Sequence, residues 1–262
     1  AVQADGKIVL GGESANGATH DFSVVRLNAD GSLDETFDNL RFETLGGTVA
    51  YTENGLPVVL DADVQVNDIE LDAAGSYAGA SLTLTRAGGA NPQDLYSHSG
   101  HLSALIEGQA LVYRDVDIGT VTTNSGGLLA LSFTAGAART LVEGAVRSIA
   151  YSNASDDPPG LVQIQWSFGD GNTGWQGAGG ALNATGLTTV TIAPVNDAPV
   201  ASDVTVVGLE DSTIPVTLAG TDVDGTVTGY RITTLPANGK LFSDQALTQP
   251  IVPGAVTPGP TI

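Results

Sequence analysis

The chain has 262 residues with 9 Lys and Arg against 29 Asp and Glu, which gives a formal net charge of −20. Phosphate binding requires clustered cations, so this charge argues against a nucleic acid partner and against an anionic membrane surface. The chain contains no Cys, which excludes disulfides and thiolate catalysis. Two roles remain for the excess of acidic residues, namely solubility and cation binding.

Most of the sequence has the two-residue period of β-strands, in which apolar and polar side chains alternate. The clearest stretches lie at 81–85, 129–133, 162–168 and 189–192. Alternation of this kind places one strand face in a core and the other in water. Turn-forming Asn-Gly and Asp-Gly pairs separate the strands. They lie at 54–55, 170–171, 224–225 and 238–239. Many short strands joined by such turns predict an all-β sandwich or barrel.

One stretch has helical spacing instead. Apolar residues recur over 141–149, and Thr140 with Glu143 forms the T-x-x-E pattern of a capping box. We predict one short helix at about 141–148, with Gly144 as its weakest position. It is expected to pack across the open end of a sandwich.

Two stretches predict module boundaries. The strand pattern resumes after residues 37–40, and Pro194 and Pro199 stiffen a segment that cannot be a central strand. Residue 1 is not Met, so we expect a processed chain or a piece of a longer polypeptide. We predict an N-terminal β repeat at 1–41, a sandwich at 42–195, a linker at 196–200 and a partial second sandwich at 201–262.

The N-terminal stretch carries two short signatures. D-G-K-I-V lies at 5–9, and L-N-x-D-G-S-L-D lies at 27–34. With these signatures, residues 2–38 resemble a delta-sixty repeat, which is a repeat of secreted bacterial proteins usually found in tandem. The resemblance implies a β-hairpin unit in an extracellular protein.

Other signatures lie in the rest of the chain. Y-T-E-N-G occupies 51–55, and N-D-A-P at 196–199 is followed by D-V-D-G at 222–225. Residues 42–200 thereby resemble the bacterial cadherin-like repeats of giant surface proteins, and 201–260 resemble the start of a second repeat. The resemblance implies a Greek-key, cadherin-like β-sandwich, a role in long extracellular adhesins, and calcium ions that rigidify the joints between modules.

Acidic elements bracket the predicted linker. Calcium takes six to eight oxygen ligands from carboxylates, amides and carbonyls. Asp222 and Asp224 lie on one side of a turn, and Gly225 permits the bend. Asp and Gly also form turns without any metal, which is the alternative. We predict a calcium site at this joint with the following ligands: Asn196, Asp197, Glu210, Asp222 and Asp224, closed by Asp156 or Asp170 from the first sandwich.

A second acidic group lies near the start of the sandwich. By analogy with the resembled family, it would serve the joint to the N-terminal repeat. Acids this close repel each other when no cation is present. The members of this second group are Glu53, Asp61, Asp63, Asp68 and Glu70.

Sequence signatures of catalysis are missing. The chain has no G-x-S-x-G nucleophile elbow, no phosphate loop and no dinucleotide fingerprint. We therefore expect a protein that is not an enzyme. Trp166 alternates with core residues and is expected to be buried, whereas Trp175 lies in a Gly-rich loop and is expected to be exposed.

Three functions remain open. The first is a structural and adhesive segment of a long bacterial surface protein, stiffened by calcium. The second is a filament subunit that neighbouring copies complete by strand exchange. The third is a calcium-dependent glycan-binding module that uses Trp175. All three imply a secreted or cell-surface location. The expected partners are calcium, flanking repeats or neighbouring copies, and glycans or other cell-surface ligands, without membrane insertion.

Overall fold

The computed structural model describes residues 1–16, 19–32, 46–176 and 180–257. It divides the chain into two compact units, Ala1–Thr44 and Leu45–Ile262. The predicted start of the sandwich at 42 lies outside the described residues, and the predicted module boundaries stay predictions. No helix in the described ranges is long and apolar enough to cross a membrane.

The first unit contains an antiparallel hairpin of β1 (Ile8–Asn16) and β2 (Thr19–Leu27). The Asp-Gly turn that follows is closed by Asp30, whose Oδ1 accepts hydrogen bonds from the Ser32 amide at 2.9 Å and the Ser32 hydroxyl at 2.6 Å. These bonds lower the pKa of Asp30 below its ordinary value. Gly31 has a φ of +85°, which only glycine adopts without strain.

The second unit contains fourteen strands and two helices in its described part. The strands in chain order are β3 (Gly46–Thr52), β4 (Val58–Val59), β5 (Ser81–Arg86), β6 (Asp94–His98), β7 (Ala110–Tyr113), β8 (Val116–Ser125), β9 (Leu128–Phe133), β10 (Ile149–Asn153), β11 (Leu161–Gly169), β12 (Asn183–Ala193), β13 (Val200–Ser202), β14 (Ala219–Thr221), β15 (Tyr230–Arg231) and β16 (Val256–Thr257). The helices are α1 (Ile69–Ala74) and α2 (Arg139–Val146).

Two sheets form the predicted all-β sandwich. The larger sheet has seven strands in the order β3-β12-β11-β5-β9-β8-β7, and the smaller has the order β4-β10-β6. All pairs in these sheets are antiparallel except β3 with β12, which is parallel. Because β3 and β12 run the same way, the first and last strands of the sandwich end side by side.

The core lies between the two sheets, and the predicted alternation is confirmed. Alternate residues of β9 and of β11 are buried. Trp166 is fully buried, as predicted, and its indole N–H donates to Thr188 Oγ1 at 2.8 Å. The rings of Tyr51 on β3 and Tyr151 on β10 meet edge to face across the core. Burial of large side chains from both sheets supplies the main driving force for folding.

The predicted helix at 141–148 exists as α2, but it begins two residues earlier and the predicted capping box is wrong. Its N-cap is Ala138, which makes no side-chain hydrogen bond. Glu143 Oε1 instead accepts from the amide of Val66 at 3.2 Å and from Arg139 Nε at 3.0 Å. Tertiary contacts therefore occupy the side chain that the pattern assigned to the helix end.

The sequence pattern does not predict helix α1, so the expectation of a single helix is corrected to two. Asp68 is its N-cap, and Asp68 Oδ1 accepts from the amide of Leu71 at 2.8 Å. Gly75 closes its C-terminus with a φ of +71°. Six residues are too few for a hydrophobic period to be visible in the sequence.

Residues 200–257 form two small antiparallel ribbons, β13 with β14 and β15 with β16. Only Ile251 and Thr257 of this stretch are buried. Many of its aliphatic side chains face solvent: Val200, Val206, Val207, Leu209, Val252 and Val256.

Candidate metal centre

Three carboxylates converge where the sandwich meets the linker. Glu53, Asp156 and Asp197 each place an oxygen so that the three oxygens lie within 4.8 Å of one another. Within the described ranges, this is the one group of His, Cys, Asp and Glu side chains arranged closely enough to hold a metal ion. Glu53 is buried, Asp197 is half-buried and Asp156 is exposed, so the group opens to solvent on one side.

The parallel pairing of β3 and β12 brings Glu53 to the linker. Thr52 lies opposite Ala193 in the register, and the amide of Glu53 donates to the Ala193 carbonyl at 3.0 Å. Two residues further along the chain, the amide of Val195 donates to Glu53 Oε2 at 2.8 Å. Two hydrogen bonds therefore fix Glu53 against the chain that leaves the sandwich, with 2% of the residue exposed.

Asp197 connects the linker to the turn at 222–225. Its amide donates to both carboxylate oxygens of Asp224, at 3.3 and 3.2 Å. The side-chain amide of Asn196 donates to the Asp197 carbonyl at 2.7 Å. The linker backbone and the turn are thus held together by polar contacts that leave the carboxylate of Asp197 free to bind a cation.

Gly225 allows Asp222 to fold back over its own turn. A Cβ atom at position 225 would lie 2.8 Å from Asp222 Oδ2. This separation is shorter than real Cβ contacts, so any larger residue would displace the carboxylate. Glycine permits this close approach without a positive φ, and a larger residue is accommodated only if the Asp222 carboxylate moves.

Three buried carboxylate oxygens at this joint accept no hydrogen bond from the described residues. They are Glu53 Oε1, Asp197 Oδ2 and Asp222 Oδ1. A buried charged oxygen without a donor is costly, because it has lost water and gained nothing in exchange. Oxygens of this kind are the ligands that a hard cation requires.

The electrostatics of Asp197 agree with this geometry. Burial raises the pKa of Asp197 above its ordinary value, and the charges of Asp156, Glu53, Asp224 and Asp222 raise it further. Four neighbouring carboxylates therefore act together on the charge of Asp197. A cation among them would remove both unfavourable effects.

An open cavity of about 440 Å³ adjoins the group. Asp156 and Asp197 form its acidic wall, and the linker and the strand β14 region supply the rest. The remaining lining residues are Ala198, Val200, Thr221 and Val223. A cation and its water molecules can therefore reach the carboxylates from solvent.

The structure separates Glu53 from the other acids of the predicted second group. Asp61 Oδ2 accepts from the amide of Gly46 at 3.0 Å, and Asp61 Oδ1 accepts from the amide of Asp63. Gly46 begins β3 and Glu53 follows its end, so the two acids lie about 20 Å apart at 3.3 Å per residue. Burial raises the pKa of Asp61, and its coulombic and hydrogen-bond contacts with Asp63 add to the rise.

The remaining acids of that second group serve the helix. Asp68 is occupied as the N-cap of α1. Glu70 lies in the first turn of α1 and is exposed, where a negative charge is favourable. The predicted metal site of Glu53, Asp61, Asp63, Asp68 and Glu70 is therefore not assembled as one group.

Two further predicted ligands lie away from the cluster. Asp170 follows Gly169, which pairs with Asn183 at the opposite end of β12 from the linker, roughly 30 Å away at strand spacing. Its Oδ1 accepts from the amides of Asn172 and Leu182 at 2.9 and 3.0 Å, so Asp170 closes a turn. Glu210 is exposed and is not among the carboxylates that act on Asp197.

Comparison with known proteins gives few matches. Residues 3–37 match a family described as a domain of unknown function (DUF5122) beta-propeller. No curated protein matches the chain. A solved structure of human CDH23 EC21-23 is similar, with 16% sequence identity and a TM-score of 0.23. That similarity covers 82% of this chain and 60% of the human chain, so this chain spans less than two thirds of its length.

Proposed function

We propose that this chain is an extracellular structural segment whose linker is held to the sandwich by calcium. The observation that carries the proposal is the set of buried, unpartnered oxygens on Glu53, Asp197 and Asp222. Asp156 and Asp224 complete the ligands within reach. The proposal assigns the chain no catalytic role and no nucleic acid partner.

The ligands come from four separate parts of the chain. Glu53 follows β3, Asp156 follows β10, Asp197 lies in the linker, and Asp222 belongs to a turn after β14. Without a cation, repulsion among these charges favours separation of the four parts. A bound cation reverses that preference, and binding to the ordered arrangement alone stabilises it by mass action. The linker then transmits force and direction from one module to the next.

The chemistry of the ligands favours calcium over other metals. All of them are oxygen atoms, whereas structural zinc sites are built from Cys and His. Calcium accepts six to eight oxygens in a flexible shell, while magnesium requires a small, near-octahedral shell and retains its waters. Carboxylates that arrive from four separate segments suit the flexible shell. The resemblance of the linker to cadherin-like joints supports the same choice.

Thermal unfolding followed by Trp fluorescence tests the proposal. Calcium at about 100 times Kd should raise Tm on the order of 5–10 °C relative to EDTA, and magnesium should not. Asp197→Asn should abolish the rise, whereas Glu210→Gln, an equal charge change outside the cluster, should retain it. The same Tm in calcium and in EDTA for the unmodified chain would refute the proposal.

One observation favours a second candidate function, the assembly of copies through strand exchange. Strand β3 is an edge strand of the seven-stranded sheet, and no described strand pairs with its outer edge. Its sequence, GGTVAYT, contains no charge, whereas natural edge strands are commonly protected by charges or proline. In a chain of charge −20, an uncharged edge is where two copies meet with the least repulsion.

Sedimentation velocity distinguishes the two functions. Assembly through β3 predicts oligomers that Ala50→Lys dissociates, since Ala50 is exposed on that edge strand. Gln163→Lys is the matched control, because Gln163 is exposed on the interior strand β11. A monomeric unmodified chain at all accessible concentrations would remove this second function. The glycan-binding function stays a prediction: Trp175 is 54% exposed, in the segment that follows β11.

A further inference from the structure

We propose that a buried hydrogen-bond network centred on Asp94 positions Glu53 and Asp156 for the cation. The inference rests on the proposed function, because it concerns the same carboxylates. It assigns a role to residues that would touch no cation themselves. The network consists of Arg86, Asp94, Tyr151, Asn153, Ser155 and Tyr51.

Asp94 is the centre of the network. Its side chain has no exposed surface, and Arg86 binds it through two nitrogens at 2.8 and 2.7 Å. The hydroxyl of Tyr151 donates to Asp94 Oδ1 at 2.7 Å, and the side-chain amide of Asn153 donates to the same oxygen at 3.1 Å. Burial and the neighbouring Asp94 raise the pKa of Tyr151, so its hydroxyl remains a donor.

This centre has a geometry that packing alone does not explain. A buried ion pair contributes little net stability, because desolvation offsets most of its attraction. Apolar side chains of similar size would fill the same space with comparable stability. What a fully satisfied polar network adds is a single arrangement of the elements that it joins. Here it joins β5, β6 and β10.

One branch of the network leads to Asp156. Asn153 Oδ1 accepts from the amide of Ser155 at 2.9 Å, and Ser155 Oγ accepts from the amide of Asp157 at 3.2 Å. Ser155 is buried. The two hydrogen bonds bracket Asp156 in the chain, so its backbone is fixed although its side chain is exposed.

A second branch leads to Glu53. The hydroxyl of Tyr51 donates to the carbonyl of Asn153 at 3.3 Å, and its ring lies 6.1 Å from that of Tyr151. Tyr51 belongs to β3 and precedes Glu53 by two residues. Glu53 opens the turn after β3, its amide continues the ladder to the Ala193 carbonyl, and both Tyr51 and Glu53 are buried, so fixing Tyr51 also holds Glu53 inward.

Both branches start from Asn153, so one residue ties the end of β3 to the loop that carries Asp156. The two carboxylates are therefore close together before a cation arrives. Holding ligands in place in advance reduces the ordering cost of binding, and loosening them weakens affinity without removing a ligand. These residues therefore have a positioning role. Their loss should lower the affinity for the cation while the chain stays folded.

Calcium affinity of the full chain, measured by isothermal titration calorimetry, tests the inference. Ser155→Ala removes the acceptor of the Asp157 amide and should weaken calcium binding about five-fold, as expected for one hydrogen bond. Ser103→Ala is the matched control, because Ser103 Oγ accepts from the amide of Val112 at 3.0 Å in another part of the sandwich. It should leave the affinity unchanged. Tm in EDTA should fall by similar amounts in both variants.

Tyr51→Phe provides an independent second variant. It removes the hydroxyl and keeps the ring in the core, and it should also weaken calcium binding while retaining the fold. Wild-type affinity in both Ser155→Ala and Tyr51→Phe would overturn the inference and leave the proposed function intact. Absence of calcium binding in the unmodified chain would overturn the proposed function itself.

Discussion

The two oxygens of the Glu53 carboxylate have different environments. Oε2 accepts a hydrogen bond from the Val195 amide, while Oε1 is buried and accepts none. Asp61 is also buried, but backbone amides satisfy both of its oxygens. Burial of an acid is therefore not the sign of a cation site in this molecule. The sign is a buried oxygen that lacks a donor beside other carboxylates.

Glu53→Gln should produce opposite effects with and without calcium. An amide retains an oxygen acceptor for the Val195 amide but removes one of the charges that repel Asp197. In EDTA the variant should therefore melt at or above the temperature of the unmodified chain. In calcium it should melt below it, because a ligand charge is missing. The measurement is Tm in both conditions.

A variant with lower Tm in both conditions would indicate a purely structural role for Glu53. Asp61→Asn serves as the comparison, because Asp61 lies at the other end of β3 and outside the carboxylate group. We expect calcium to raise the Tm of Asp61→Asn by the same amount as that of the unmodified chain.

At the level of elements, the register of β3 against β12 brings Glu53 next to the linker. The pattern of alternating residues predicts both strands, and the structure confirms the sandwich that contains them. A sequence does not state which strands become neighbours, because strand pairing depends on tertiary packing. Glu53 is predicted to join the acids near Asp61 because these residues are close in the sequence. The parallel pairing instead carries Glu53 to residues far along the chain.

The joint residues were easier to predict, because they are close in sequence or lie in a stiff linker. Turn chemistry and the resemblance to cadherin-like repeats predict that Asp197, Asp222 and Asp224 belong to one group. Helix α1 and the true cap of α2 were missed for a physical reason. The cap of α2 depends on contacts with other elements, and α1 is too short to show a hydrophobic period.

The turn at 222–225 gives a prediction about its glycine. In Gly225→Ala, the new methyl group would meet the Asp222 carboxylate and move it out of the cluster. We expect the Kd of this variant for calcium to rise several-fold, with an unchanged Tm in EDTA. Gly160→Ala is the control, since a Cβ there meets nothing within 4 Å.

Equal calcium affinity in Gly225→Ala and Gly160→Ala would contradict a ligand role for Asp222. The experiment addresses Asp222 in particular, because its carboxylate oxygens are the atoms that the new methyl group would meet. Both variants keep every charge of the chain, so a change in affinity would report geometry alone.

At the level of the whole molecule, a net charge of −20 has two consequences. It keeps copies of the chain apart, which favours solubility. It also makes any concentration of carboxylates unstable until a cation enters. In the proposed function the chain uses the second effect. A linker that is ordered only with calcium would be stiff in a calcium-rich extracellular medium and flexible without it.

Hydrogen exchange measured by mass spectrometry tests this central claim most directly. Peptides that cover 194–199 and 222–225 should exchange more slowly in calcium than in EDTA, because cation binding would order the linker and the turn. Peptides that cover 170–176, at the other end of β11, should exchange equally in both conditions. Exchange at 194–199 that does not respond to calcium would contradict the account.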